Sequence, residues 1–172
     1  FSKGGFNNNN VAKEEEKGPK VSSKSELENS ENKIPKIKVT VVNDFELLDK
    51  LIQRLDKTNE IVSLDTETNS LNPIDAELVG IGLCLGEETD DLFYIPLGHQ
   101  TKKETPNQLS IEDVFSKLRT WIEDPKKEKA LQNSKFDRQI FFNHGLDLKG
   151  VTFDTLLADY LLNNQEKHGL SE

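Results

Sequence analysis

The chain has 172 residues, 34% hydrophobic and 31% charged, and its 31 Asp plus Glu outnumber 22 Lys plus Arg to give a formal charge of −9. That length fits one ordinary domain with some excess. No run approaches the roughly 20 apolar residues that cross a bilayer, and the single cysteine, Cys84, excludes a disulfide framework or a cysteine-rich zinc module.

Residues 1–36 hold seven basic and six acidic side chains but only seven apolar ones, scattered without a period of 2 or 3.6. Such a segment buries too little surface to offset its ordering entropy, so a disordered interdomain linker is expected there. No apolar leader is present near the start, which makes a reducing cytoplasm the default compartment. The chain opens on Phe1 and closes on Leu170-Ser171-Glu172, and it is expected to be a piece of a longer protein. Residues 37–172 hold 15 basic and 25 acidic side chains, a formal −10.

From residue 37 the pattern becomes regular. Residues 37–42 predict a short strand, and Asn43 or Asp44 can cap a helix with the stripe Phe45, Leu48, Leu51, Ile52 and Leu55. Residues 61–67 are β-rich. Residues 77–85 alternate, with Val79, Ile81, Leu83 and Leu85 on one face, and 92–96 predict a third strand ended by Pro96. Short connections make these three an antiparallel meander. Ser110 opens a capping box with Asp113 before a helical stripe that includes Val114, Phe115, Leu118 and Trp121. Residues 130–132 form a short strand, 135–144 a helix stopped by a left-handed Gly145, 151–153 another strand, and Asp154 caps a last helix. Cys84 is expected to be a small buried side chain, and His99 and His144 surface residues. The whole predicts an α/β fold, a mixed sheet with helices on both faces.

Asp65 and Glu67 lie two apart on a strand, so both side chains leave one face about 6.6 Å apart along it. Paired carboxylates repel each other and invite a divalent cation, although a strand end running into solvent also favours acidic residues. Asn133 is delivered to the start of a helix and Asp137 follows one turn in, on the same side. An acidic residue in a first turn also suits the helix dipole, so neither segment decides the matter alone.

Taken together, Asp65-Thr66-Glu67, the following Leu71, Leu78-Val79-Gly80, Tyr94-Ile95-Pro96, Gln132-Asn133-x-Lys135-Phe136-Asp137-Arg138 and Phe153-Asp154-Thr155 resemble the proofreading 3′–5′ exonuclease domain of bacterial DNA polymerase I (family A). The resemblance covers about residues 37–172. It implies a ribonuclease H-like fold. It also implies that Asp65, Glu67 and Asp137 act as catalytic metal ligands, with Asp65 bridging two Mg²⁺ ions for which Mn²⁺ could substitute. Gln132, Asn133 and Phe136 would line the site near the terminal nucleotide, Phe136 standing where the family often has Tyr, and Leu71 would wedge against the last base. The substrate would be a single-stranded or frayed 3′ end of DNA, removed by two-metal hydrolysis, with a polymerase domain on the same parent chain and no membrane partner.

The family's third motif does not follow Asp137. His168 and Glu172 are four apart and are read as a chance pairing. The missing ligand is therefore expected beyond Glu172, and this piece alone is expected to be weakly active or inactive. Two alternatives stay open: a silent exonuclease-like domain that only supports a polymerase, and a stand-alone exonuclease of the same type acting on RNA.

Overall fold

Residues 62–68 alternate inward and outward, and that alternation organises the rest. A computed structural model describes residues 38–88, 91–100 and 107–162. The linker expected at 1–36, the predicted strand's first residue Ile37, and the His168/Glu172 pair lie outside the described residues.

The element order is β1 (Val39–Val41), α1 (Phe45–Lys57), β2 (Val62–Thr68), β3 (Leu78–Cys84), β4 (Leu92–Pro96), α2 (Ile111–Ile122), β5 (Lys129–Leu131), α3 (Ser134–Asn143), β6 (Val151–Asp154) and α4 (Thr155–Leu162). The strands form one six-stranded sheet in the order β1-β4-β3-β2-β5-β6. The predicted meander is there, since β2–β3 and β3–β4 are antiparallel, while β1–β4, β2–β5 and β5–β6 are parallel. Parallel neighbours need crossovers, and α1, α2 and α3 travel with those connections.

One face of the sheet is the core. Val62 and Leu64 of β2, Ile81 and Leu83 of β3 and Ile95 of β4 meet Leu48, Leu51 and Leu55 of α1, Val114, Leu118 and Ile122 of α2, and Ile140 and Phe141 of α3, all buried. The caps match the sequence: Asp44 accepts from the Leu47 N–H at 2.8 Å and Ser110 from the Asp113 N–H at 3.1 Å. Phe45, placed on the α1 stripe by periodicity, is instead 47% exposed, its ring lying beneath the Lys117 ammonium. Helix α4 contributes no buried residue.

Two expectations on β3 change. A bulge between Glu67 and Thr68 pairs Thr68 with Leu78 and skips Val79, so Leu78, 2% exposed, enters the core in place of Val79. The freed Val79 carbonyl accepts from both Leu97 and Gly98 N–H at 2.9 Å. Cys84 is half-exposed, not buried, because the register sets it opposite Ser63 on the face away from the core.

Lys129 is fully buried at the start of β5. Its ammonium donates to the Lys127 carbonyl at 2.7 Å and lies 4.4 Å from the Trp121 ring centroid, and burial lowers its pKa to about 8. The 124–127 turn that it holds presses on Gly150, which has φ of +71°. A Cβ there would overlap the Lys127 carbonyl oxygen and stand 2.9 Å from that of Asp124. Gly145, the predicted helix stop, also has positive φ, +73°, but its Cβ would meet nothing within 4 Å.

These two glycines give a paired expectation. Gly145→Ala adds only left-handed strain, about 1 kcal/mol, whereas Gly150→Ala adds overlap with backbone and costs about 3 kcal/mol. Urea unfolding of the two variants checks the difference.

Candidate active site

Strand β2 turns Asp65 and Glu67 to the face away from the core and Thr66 toward it, where Thr66 is only 7% exposed. Strand β5 accompanies β2 only through Val62 and Ser63, so the β2 edge beyond them needs another partner. Asp137, on the first turn of α3 and 2% exposed, supplies it. One oxygen, Oδ1, accepts from the Thr66 N–H at 3.1 Å and from the Thr66 hydroxyl at 2.7 Å. The two acidic segments that sequence spacing could not connect are thereby joined.

The β5–α3 corner is built around Asn133, the sole described non-glycine residue with positive φ, +59°. Asparagine tolerates that conformation better than most residues. Its side chain does not cap α3. Asp154, at the end of β6, does so from a distance, accepting from the Asn133 N–H at 3.1 Å and the Ser134 N–H at 2.8 Å. The same carboxylate accepts from Leu156 and Leu157 N–H at 3.0 and 3.3 Å. Sequence reasoning identified Asp154 as the cap of one helix, and it serves two. Partial burial works to raise its carboxyl, and the bonds from Ser134, Leu157 and Asn133 outweigh that and hold it below the usual range.

All seven candidate site residues border one cavity of about 760 Å³: Asp65, Glu67 and Leu71 from β2 and the loop after it, Gln132, Asn133, Phe136 and Asp137 from the β5–α3 corner. Leu156 of α4 adds an apolar wall that sequence reasoning missed. Leu71 is 96% exposed on a loop that is bonded to itself. Asn69 and Glu77 exchange three hydrogen bonds, and Asn72 bonds Asp75 and the Ile74 N–H. Gln132 is bonded by the Thr155 hydroxyl. Thr66 was also missed, although its position between two outward carboxylates sends it inward, where a polar side chain needs a partner.

Among the described residues, the cavity lining holds three carboxylates and no Lys or Arg. Burial, and then the neighbouring Glu67, raise the Asp65 carboxyl. Burial pushes Asp137 up to about 6 despite its Thr66 bonds, with the Asp65 charge adding to the rise. Among the described residues, no group of three or more His, Cys, Asp or Glu side chains is arranged to hold a metal ion as it stands. His99 and His144 are not free surface residues. His99 Nε2 is 2.7 Å from the Tyr94 hydroxyl, and the His144 ring packs edge-on against Phe115, where burial lowers its pKa. No described helix is long and apolar enough to cross a membrane.

A family model described as 3′–5′ exonuclease matches residues 39–172. DNA polymerase I of Synechocystis sp. is 38% identical over 143 residues, which are 81% of this chain and 14% of that protein. The chain spans about a seventh of the length of the curated relatives it matches. Two solved structures share the fold. The POL domain of Pol1 from M. smegmatis, in complex with DNA primer-template and dNTP, has a TM-score of 0.55 and 23% identity over 76% of this chain and 20% of its own. Escherichia coli RNase D has a TM-score of 0.52 and 22% identity over 72% of this chain and 29% of its own. The ribonuclease H-like arrangement of a mixed sheet with four helices is thus that of known exonucleases.

A raised carboxyl has a definite consequence for stability. The folded chain binds the Asp137 proton more tightly than the unfolded chain. The resulting stability is fully present below about 4 and is lost as pH rises through about 6. Asp137→Asn keeps an oxygen acceptor for Thr66 and removes the buried charge. In metal-free protein it is expected to raise the thermal midpoint at pH 7.5 by about 5 °C, with the gain shrinking toward pH 4.5, as read by calorimetry at the two pH values.

Proposed function

The chain belongs to the family of 3′–5′ exonuclease domains found in DNA polymerase I, and from that premise we propose that it removes mismatched nucleotides from 3′ ends of DNA within a longer polymerase polypeptide. Residues 37–172 would be that domain, with 1–36 as its linker, in the cytoplasm. The observation that carries the reading is the convergence of Asp65 and Glu67 from β2 and Asp137 from α3 on one cavity, with no Lys or Arg among its described lining residues.

The donor chemistry fits divalent cations. Hard carboxylate oxygens are what Mg²⁺ and Mn²⁺ select, and the Asp65 and Asp137 carboxyls are raised chiefly by burial, with a neighbouring carboxylate adding to each. Asp65, Glu67 and Asp137 would hold the ions. Bound there, such ions supply the positive charge that draws in a phosphodiester and the acidity that makes water a nucleophile.

The chain's own residues do the rest. Asp65, Glu67 and Asp137 confine the reaction to the cavity floor. Leu71, held outward on its cross-bonded loop, wedges against the terminal base, and the Phe136 ring packs against that nucleotide from the α3 side. Gln132 and Asn133 offer amide groups to the sugar and phosphate. Hydrolysis joins the water oxygen to phosphorus and breaks the bond to the 3′ oxygen of the preceding nucleotide, releasing a mononucleotide. A strongly acidic domain suits single-stranded or frayed ends better than tight duplex binding.

In the full polypeptide that carries the domain, Asp65→Ala or Asp137→Ala is expected to slow Mg²⁺-dependent release of a mismatched 3′ nucleotide roughly 100-fold, near 3 kcal/mol at the transition state. Labelled primers check this, with circular dichroism to confirm folding. Unchanged rates in both variants overturn the proposal, and faster cleavage of an RNA end than a DNA end overturns its substrate.

A further inference from the structure

Tyr94 of β4 stands on the same face of the sheet as Asp65 and Glu67, with β3 between them. In β3, Gly82 is opposite both Asp65 and Tyr94, and Gly80 is opposite Glu67. A Cβ on Gly80 would overlap the Tyr94 hydroxyl and lie 2.9 Å from the ring atom Cε2, whereas a Cβ on Gly82 would meet nothing within 4 Å. The phenol therefore leans diagonally over β3 and puts its oxygen where a side chain of residue 80 would stand. That place is the cross-strand neighbour position of Glu67, because directly opposed residues hold their Cβ atoms about 5 Å apart. Gly80 is the gap that lets Tyr94 reach it.

The phenol is braced from behind. His99 Nε2 lies 2.7 Å from its oxygen. The His99 backbone is clasped by Gln108, whose Oε1 accepts from the His99 N–H and whose Nε2 donates to the His99 carbonyl, both at 3.1 Å. With the proton on Nε2, His99 donates to the phenol oxygen and leaves the phenol O–H free to donate forward. A phenol holds its proton at neutral pH. Tyr94 does not border the cavity, so it acts on what borders it.

We infer that Tyr94, braced by His99 and Gln108, is a positioning residue that hydrogen-bonds the Glu67 carboxylate and orients it toward a divalent cation. The inference rests on reading Asp65 and Glu67 as the cation-holding pair. Groups that orient a metal ligand through a hydrogen bond are typically worth 10–100-fold in affinity.

Titration calorimetry with Mn²⁺ alone tests it, on the full polypeptide that supplies the ligand expected beyond Glu172. Tyr94→Phe is expected to weaken binding about 10-fold with a thermal midpoint within about 2 °C of the unaltered chain. His99→Leu should weaken it likewise, and His99→Gln, whose amide N–H can still donate to the phenol, should restore it. Gly80→Ala displaces the phenol and should reproduce the loss, and Gly82→Ala should not. Unaltered affinity in Tyr94→Phe, or a loss matched by a fall in midpoint, overturns the inference while the cation site stands. Absence of any Mn²⁺ binding that Asp65→Ala removes from that polypeptide overturns the cation reading and this inference with it.

Discussion

The double hydrogen bond from Thr66 to Asp137 is the constraint on which the rest of the molecule depends. Strand β2 loses β5 as a partner after Ser63, and a buried N–H without an acceptor costs about as much as a lost hydrogen bond. A carboxylate from the first turn of α3 fills that role, so the helix cannot be placed without also placing its charge. The cost is electrostatic: Asp137 is buried, and its charge adds to that of Asp65. The acidic pocket is thus built into the way the helix docks on the sheet.

The β5–α3 corner solves a second problem. Four N–H groups at the start of a helix lack internal partners, and the residue in the capping position, Asn133, has a left-handed backbone and turns its side chain elsewhere. Asp154 caps from the neighbouring strand, and in doing so ties the starts of α3 and α4 to one carboxylate. This leaves the Asn133 side chain on the cavity wall beside Gln132 and Asp137. A local cap would have occupied the amide that the cavity now displays.

Much of this was legible in the sequence, for a physical reason. Period-2 alternation separates Asp65 and Glu67 from Leu64 and Thr66 without reference to anything distant, and capping chemistry at Asp44, Ser110 and Gly145 is equally local. The seven candidate residues came together because their motifs occur in one order with the spacing of a known domain, while strand and helix patterns alone left two disconnected acidic segments. What the sequence hid is non-local. The bulge that swaps Leu78 for Val79 depends on register between strands. The exposure of Cys84 follows from its being paired with Ser63, and the second helix served by Asp154 is visible only when β6 lies beside β5. The half-buried states of His99 and His144 arise from Tyr94 and Phe115, five and 29 positions away in sequence. Parallel pairing of β1 with β4 skips two intervening strands, which no short window could reveal.

The sheet order also dictates a sequence of events while the polypeptide emerges from the ribosome. Strands β2, β3 and β4 pair with near neighbours, and their contacts close short loops. Helix α3 reaches Thr66 across 71 positions, after a crossover has been threaded. The outward pair on β2 therefore exists as soon as the meander has formed, whereas its third member arrives late. A nascent chain at that stage carries the shape of a sheet without its complete acidic cluster.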